Sequence, residues 1–229
     1  MEKEVIILTK SDKNGGYCVA GIDKGNGKLI RLVSEDCESY FALHNNDLIY
    51  EDEQSYVEVM DVVKVRLKCK QNCIEQPENY IIDDGYYMKK IGVSNRKEIS
   101  KYLMNQDYIF YNNSNSIDKE DLDSQLQKYS LIMFRVNELK LWVDKFNERR
   151  LTANFIHLGN EYRFIKITDH NLTEKYYQRV IDSSPRPLIL NDAILIMSLA
   201  PEYYGKHYKL VANIIEEEIT YWGQNPFAF

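Results

Sequence analysis

Residues Asp61–Lys70, DVVKVRLKCK, set Val63, Val65, Leu67 and Cys69 in alternation with Lys64, Arg66, Lys68 and Lys70. A period of two puts successive side chains on opposite faces of an extended chain, so this segment predicts a strand with one apolar and one cationic face. Short segments punctuated by turn residues recur along the chain. EVIILTK, GYCVAGID and GKLIRLV open it as a meander, and Asn26-Gly27 predicts a type I′ hairpin turn before the third. SLIMFRVNELKLWV, RLTANFIHL, EYRFIKIT, PLILNDAILIMSLA and HYKLVANII follow, with a tight turn expected at Gly159-Asn160. Helical patterns are brief. SNRKEISKYLM, from Ser94, offers Asn95 as a cap with Glu98 three residues later, and TEKYYQRVI, from Thr173, gathers Tyr176, Tyr177, Val180 and Ile181 on one side. The fold class expected is mainly β.

A chain of 229 residues holds one large domain or two small ones. The polar, acidic stretch NNSNSIDKEDLDSQ, Asn112 to Gln125, has almost nothing to bury and reads as a linker. The expected division is a first domain over 1–110, a linker over 111–127 and a second domain over 128–229. Each domain supplies several short strands and one short helix. That element order predicts two similar small β-barrels in tandem, without an exact sequence repeat. The longest apolar run, Ala193 to Met197, is far below the roughly 20 residues that span a bilayer. The opening MEKEVIILTK lacks the layout of a secretory signal, so a cytoplasmic protein is expected. Cys18, Cys37, Cys69 and Cys73 form no dense framework and are expected as reduced thiols.

A formal net charge of −6 argues against indiscriminate polyanion binding, because phosphate affinity comes mainly from Lys and Arg releasing counterions. The charge is uneven, however. Lys128 to Ile215 carries 13 basic against 9 acidic side chains, or +4. The second half is the basic half.

GGYCVAGID with GKLIRLVS, then QPENYIID, TDHN and AILIMSLAPEYYGKHYKLVANII resemble, in that order, the landmarks of the dual OB-fold domain family of prokaryotic proteins, from about Ile6 to about Ile215. The resemblance implies two oligonucleotide-binding (OB) barrels, nucleic acid as the partner, and a setting in antiviral defence or mobile elements. A fold alone does not fix a function. The family stretch matching Leu29 to Ser34 carries a tryptophan and a proline where this chain has Leu29 and Leu32. Arg31 is retained as a candidate contact, while any stacking by that aromatic is lost.

An OB barrel holds single strands with a cationic groove and aromatic rings that accept bases. Lys64, Arg66 and Lys68 supply cations in the first half; the same stripe also suits a charge-guarded edge strand. In EYRFIKIT, alternation puts Tyr162, Phe164, Lys166 and Thr168 on one face, a stacking platform if open and core if closed. In HYKLVANII it sends Tyr208, Leu210, Ala212 and Ile214 inward and His207, Lys209 and Asn213 outward. Lys206, His207 and Lys209 are thus expected beside Tyr203 and Tyr204 at a barrel mouth. Arg149-Arg150 adds cations at a strand turn.

Enzyme signatures are weak. GNGK lacks Walker spacing and is better explained as a hairpin turn. Cys69 and Cys73 have no second close pair for zinc, so Cys69 is expected as a core position. Asp83-Asp84 suits a turn, Glu216 to Glu218 a solvated end, and the four histidines are scattered. No cofactor, metal or catalytic residue is expected. The function predicted is non-enzymatic binding of single-stranded DNA or RNA. The alternative is a protein-interaction module using tyrosine-rich surfaces and the tail WGQNPFAF, with Trp222, Phe227 and Phe229 as anchors for a partner or a second copy. No membrane association is expected.

Overall fold

The structure, a computed structural model, describes residues 1–13 and 15–217. Glu218, Trp222, Phe227 and Phe229, which complete the acidic run and the aromatic tail, lie outside the described residues. Strands β1 (Glu2–Lys13), β2 (Gly16–Asp23), β3 (Leu29–Val33), β4 (Asp61–Lys70) and β5 (Asn79–Ile82) pair in the order β1-β2-β3-β5-β4, and β4 returns to β1. β6 (Lys89–Val93) adds to β4. After helix α1 (Arg96–Ile99) come β7 (Ser116–Asp118) and helix α2 (Lys119–Asp123), then β8 (Leu131–Val143), β9 (Leu151–His157) and β10 (Asn160–Ile167). Helix α3 (His170–Ser183), β11 (Leu188–Leu199) and β12 (Lys206–Ile215) follow. The second set pairs as β10-β9-β8-β11-β12 and closes by a parallel contact between β10 and β12, matching the parallel β3–β5 contact of the first. These are two closed five-stranded barrels with the Greek-key order of the OB fold.

Local chemistry explains most of the elements. Asp169 caps α3 by accepting the Leu172 N–H at 2.6 Å, and Leu172, Tyr176 and Val180 turn its apolar stripe into the second core. Leu158 and Gly159 both take positive φ and close the β9–β10 hairpin between His157 and Asn160, as a type I′ turn requires. The turn at Asn26-Gly27 differs from the expected type I′: only Gly27 of the pair has positive φ, and the loop is closed by the Asp23 N–H on the Lys28 carbonyl at 2.9 Å. The polar stretch expected as a linker is a strap on the second barrel. Its β7 pairs with β12, and Ile117 and Leu122 are buried in the second core together with Ile109 and Phe110. Two apolar side chains suffice to anchor it, which its composition masks.

The barrels meet head to tail. Val5, Ile7, Val19, Ile30 and Leu32 point into the first barrel, so the alternate residues Ile6, Leu8 and Ile22 point out. They pack on Met133 of β8 and on Ile194 and Ile196 of β11 in a third apolar cluster. The β1-β2-β3 face of the first barrel is thus covered by the β8-β11 face of the second. Polar bonds border this joint. Arg31 donates to Asn79 Oδ1 at 2.8 Å and Ser130 Oγ at 3.0 Å, and the Glu78 carboxylate accepts the Ser130 N–H at 2.8 Å and its hydroxyl at 2.7 Å. Asn213 donates to the Leu8 carbonyl at 2.6 Å, and the His170 N–H to Asp12 at 3.1 Å.

Candidate nucleic-acid interface

The expected surface at Lys206, His207 and Lys209 does not form. Burial along β12 alternates with the opposite phase, so that His207, Lys209 and Val211 face the interior while Lys206 and Tyr208 face out. The cause is a bulge: Ile196 pairs with Asn213 but Met197 with Val211, which leaves Ala212 as an extra residue and reverses the faces on either side of it. His207 is 1% exposed; its Nδ1 lies 2.9 Å from the Ala200 carbonyl and its Nε2 has no hydrogen-bond partner. Lys209 is 2% exposed and donates to the carbonyl and the side-chain oxygen of Asn112 at 2.6 and 2.8 Å. Lys206 is exposed but paired with Asp118 at 2.8 Å, which holds its ammonium charged above the ordinary range. Tyr203 and Tyr204 remain exposed, their rings 4.5 Å apart and edge-on, at a hairpin tip where Tyr204 and Gly205 take positive φ.

A second bulge splits the expected platform on β10. Tyr162 pairs with Phe155 and Ile165 with Ala153, so Arg163 and Phe164 together oppose Asn154. Tyr162 is therefore core, accepting the Ile109 N–H at 2.9 Å and donating to the Asn112 carbonyl at 3.2 Å, whereas Phe164 and Lys166 face solvent. Arg31 is also internal, held in the joint.

The β4 stripe faces out as expected, with Val63, Val65 and Leu67 inside, but the charges of Lys64, Arg66 and Lys68 are neutralised locally, while the exposed Lys70 takes part in no ion pair among the described residues. Lys64 pairs with Glu2 at 2.8 Å, Arg66 with Asp83 at 3.4 Å while stacking on Tyr86, and Lys68 with Glu35 and Asp84 at 2.8 Å each. A lysine held by two carboxylates has little charge left for a phosphate. Cys69, expected in the core, is exposed, because the β4–β5 register shifts between Leu67 and Cys69.

What stays open is the outer face of β9 and β10 with the 144–150 loop that precedes β9. In an OB barrel the second and third strands and the loop between the first two form the ligand face. Here those elements are β9, β10 and this loop. Asp144 turns the loop by accepting the Phe146 N–H at 2.8 Å, and Asn147 accepts the Arg149 N–H at 3.1 Å. Phe146 is left 99% exposed, and the Lys145 ammonium lies over the half-exposed Phe164 ring, 5.4 Å from its centre. Arg149, Arg150 and Lys166 are exposed, and among the described residues none of these three nor Lys145 takes part in an ion pair. Beside them runs a groove of about 950 Å³, lined by Ile156, Leu158 and Phe164 together with Leu103 and Met104 of the inter-barrel segment. Arg135, Lys140 and Arg163 at its rim are balanced by Asp192, Glu138 and Glu161. Lys145 and Phe146 escape a reading by periodicity because a loop has none. The pattern that marks them is KFNERR itself, a ring set among three cations between two strands.

A family model described as a dual OB-containing domain matches residues 3–214. The chain belongs to that family. None of the curated proteins compared with it matches. In this dual OB-containing chain, two of the sequence landmarks, QPENYIID and GKLIRLVS, are structural. Gln76 donates to the Leu199 carbonyl at 3.3 Å, Glu78 holds Ser130, and Asn79 holds Arg31, so both strings build the joint rather than a site.

Proposed function

We propose that this dual OB-containing protein binds single-stranded nucleic acid, without catalysis, on the outer face of β9 and β10 and the 144–150 loop. The observation that carries the reading is the pairing of Phe146 and Phe164 with the unpaired cations Lys145, Arg149, Arg150 and Lys166 on the strands an OB barrel uses for ligands. Rings accept bases of any sequence, each stack contributing about 1–3 kcal/mol, and the cations follow the phosphates. With few such cations and an overall charge of −6, affinity is modest and strongly salt-dependent.

The test is a fluorescence-anisotropy titration of labelled single-stranded DNA and RNA at low and moderate salt. Binding is expected to weaken steeply with salt, and Phe146→Ala to weaken it about tenfold with no change in thermal midpoint. Affinity indifferent to salt and to Phe146→Ala would refute the reading. A second reading, a protein-interaction module, is favoured by the exposed Ile156 and Leu158 beside the groove and by the Tyr203–Tyr204 tip. It predicts no measurable binding of either nucleic acid in this titration.

A further inference from the structure

An OB barrel offers its ligand face through strands two and three and the loops joining strands one to two and four to five. In the first barrel those strands are β2 and β3 and the four-to-five loop is 71–78. The strands of that face and the Gln76–Glu78 end of the loop are already engaged. Ile22 of β2 and Leu29 of β3 belong to the apolar cluster shared with Met133, Ile194 and Ile196. Arg31, the cation best placed on β3 to meet a phosphate, is 1% exposed with its guanidinium on Ser130. Gln76 and Glu78 of the loop are bonded to Leu199, Ser130 and Leu131. The second barrel uses a different face, β8 and β11, for the same joint, and so keeps β9 and β10 free. The joint is heterologous, since different faces of the two barrels meet in it.

We infer that the two barrels offer one nucleic-acid face between them, so that one chain holds one strand and the first barrel serves as scaffold; this rests on the reading of β9–β10 as the ligand face. A strand cannot compete for the first face, since reaching it means exposing the whole apolar joint to water. The segment leaving the first barrel also supplies a wall of the surviving site, through Leu103 and Met104. Two OB barrels in sequence therefore do not double the footprint.

The full chain is titrated at concentrations well above the dissociation constant with an oligothymidylate of about 8 nucleotides, within the span of about 4–16 covered by one OB barrel, and complexes are counted by native mass spectrometry. One oligonucleotide per chain is expected. The triple variant Lys145→Ser, Arg149→Ser, Arg150→Ser, all on an exposed loop and checked for an unchanged circular-dichroism spectrum, is expected to bind none under the same conditions. Two oligonucleotides per wild-type chain, or undiminished one-to-one binding by the triple variant, would overturn the inference while leaving nucleic-acid binding intact. No binding by the wild-type chain to this oligonucleotide or to an oligouridylate of the same length would overturn the functional reading and this inference with it.

Discussion

Lys209 is an ammonium group inside a β-barrel, and its position couples folding to pH. Its Nζ touches two oxygens of Asn112 and stands 5.2 Å from the centre of the Tyr162 ring, with no carboxylate against it among the described residues. Burial penalises the charged form and pushes its pKa down to about 7, against about 10.4 for a free lysine. Between those values the unfolded chain holds the proton and the folded chain has lost it, so stability rises with pH across that window. Above about pH 10 the sign reverses, because unfolded tyrosines ionise while Tyr162 and Tyr176, whose hydroxyls burial pushes up, keep their protons. Thermal melts at constant ionic strength are expected to show a midpoint climbing from pH 7 to about 9.5, and Lys209→Met is expected to flatten that climb. A wild-type midpoint that is level over this range would show that the amine does not titrate there.

Among the elements, the loop that carries Glu78 ties the first barrel to the start of β8. Its carboxylate accepts the N–H groups of Ser130 and Leu131 and the Ser130 hydroxyl, where β8 begins. Glu78→Ala orphans those donors, at about 1–3 kcal/mol for each buried group left unpaired. A lower urea midpoint with an unchanged m value is expected, and an unchanged midpoint would mean that water replaces the carboxylate. How much of this was legible in the sequence depended on regularity. Alternation placed Val63, Val65 and Leu67 correctly because β4 is regular up to Leu67, and element order sufficed for two barrels. It failed on β10 and β12, where one extra residue at Arg163-Phe164 or at Ala212 exchanges the faces. Neither bulge contains a glycine or proline to mark it. Lys209 and His207 were therefore misplaced by the very rule that succeeded on β4, and Lys145 and Phe146 fell outside its reach.

Across the whole molecule, the head-to-tail joint ties two barrels of opposite electrical character into one body. Residues 34–60 of the first carry eight Asp and Glu and no Lys or Arg, whereas Lys128 to Ile215 stands at 13 basic against 9 acidic. On β4 of the acidic half Lys64, Arg66 and Lys68 are paired with carboxylates, whereas Lys145, Arg149, Arg150 and Lys166 on the far barrel take part in no ion pair among the described residues. Ile6, Leu8, Ile22, Met133, Ile194 and Ile196 are all nearly inaccessible in the joint. Burying one such side chain stabilises by about 1.5–3 kcal/mol, so together they rival the roughly 5–15 kcal/mol that hold a typical protein folded. Parting the barrels would expose these apolar faces to water, so the two are expected to unfold together. Calorimetry is therefore expected to show one transition for the whole chain, with equal calorimetric and van't Hoff enthalpies. Two resolved transitions would mean that each barrel survives alone, and the face of β2 and β3 would then open to a strand whenever the joint parted.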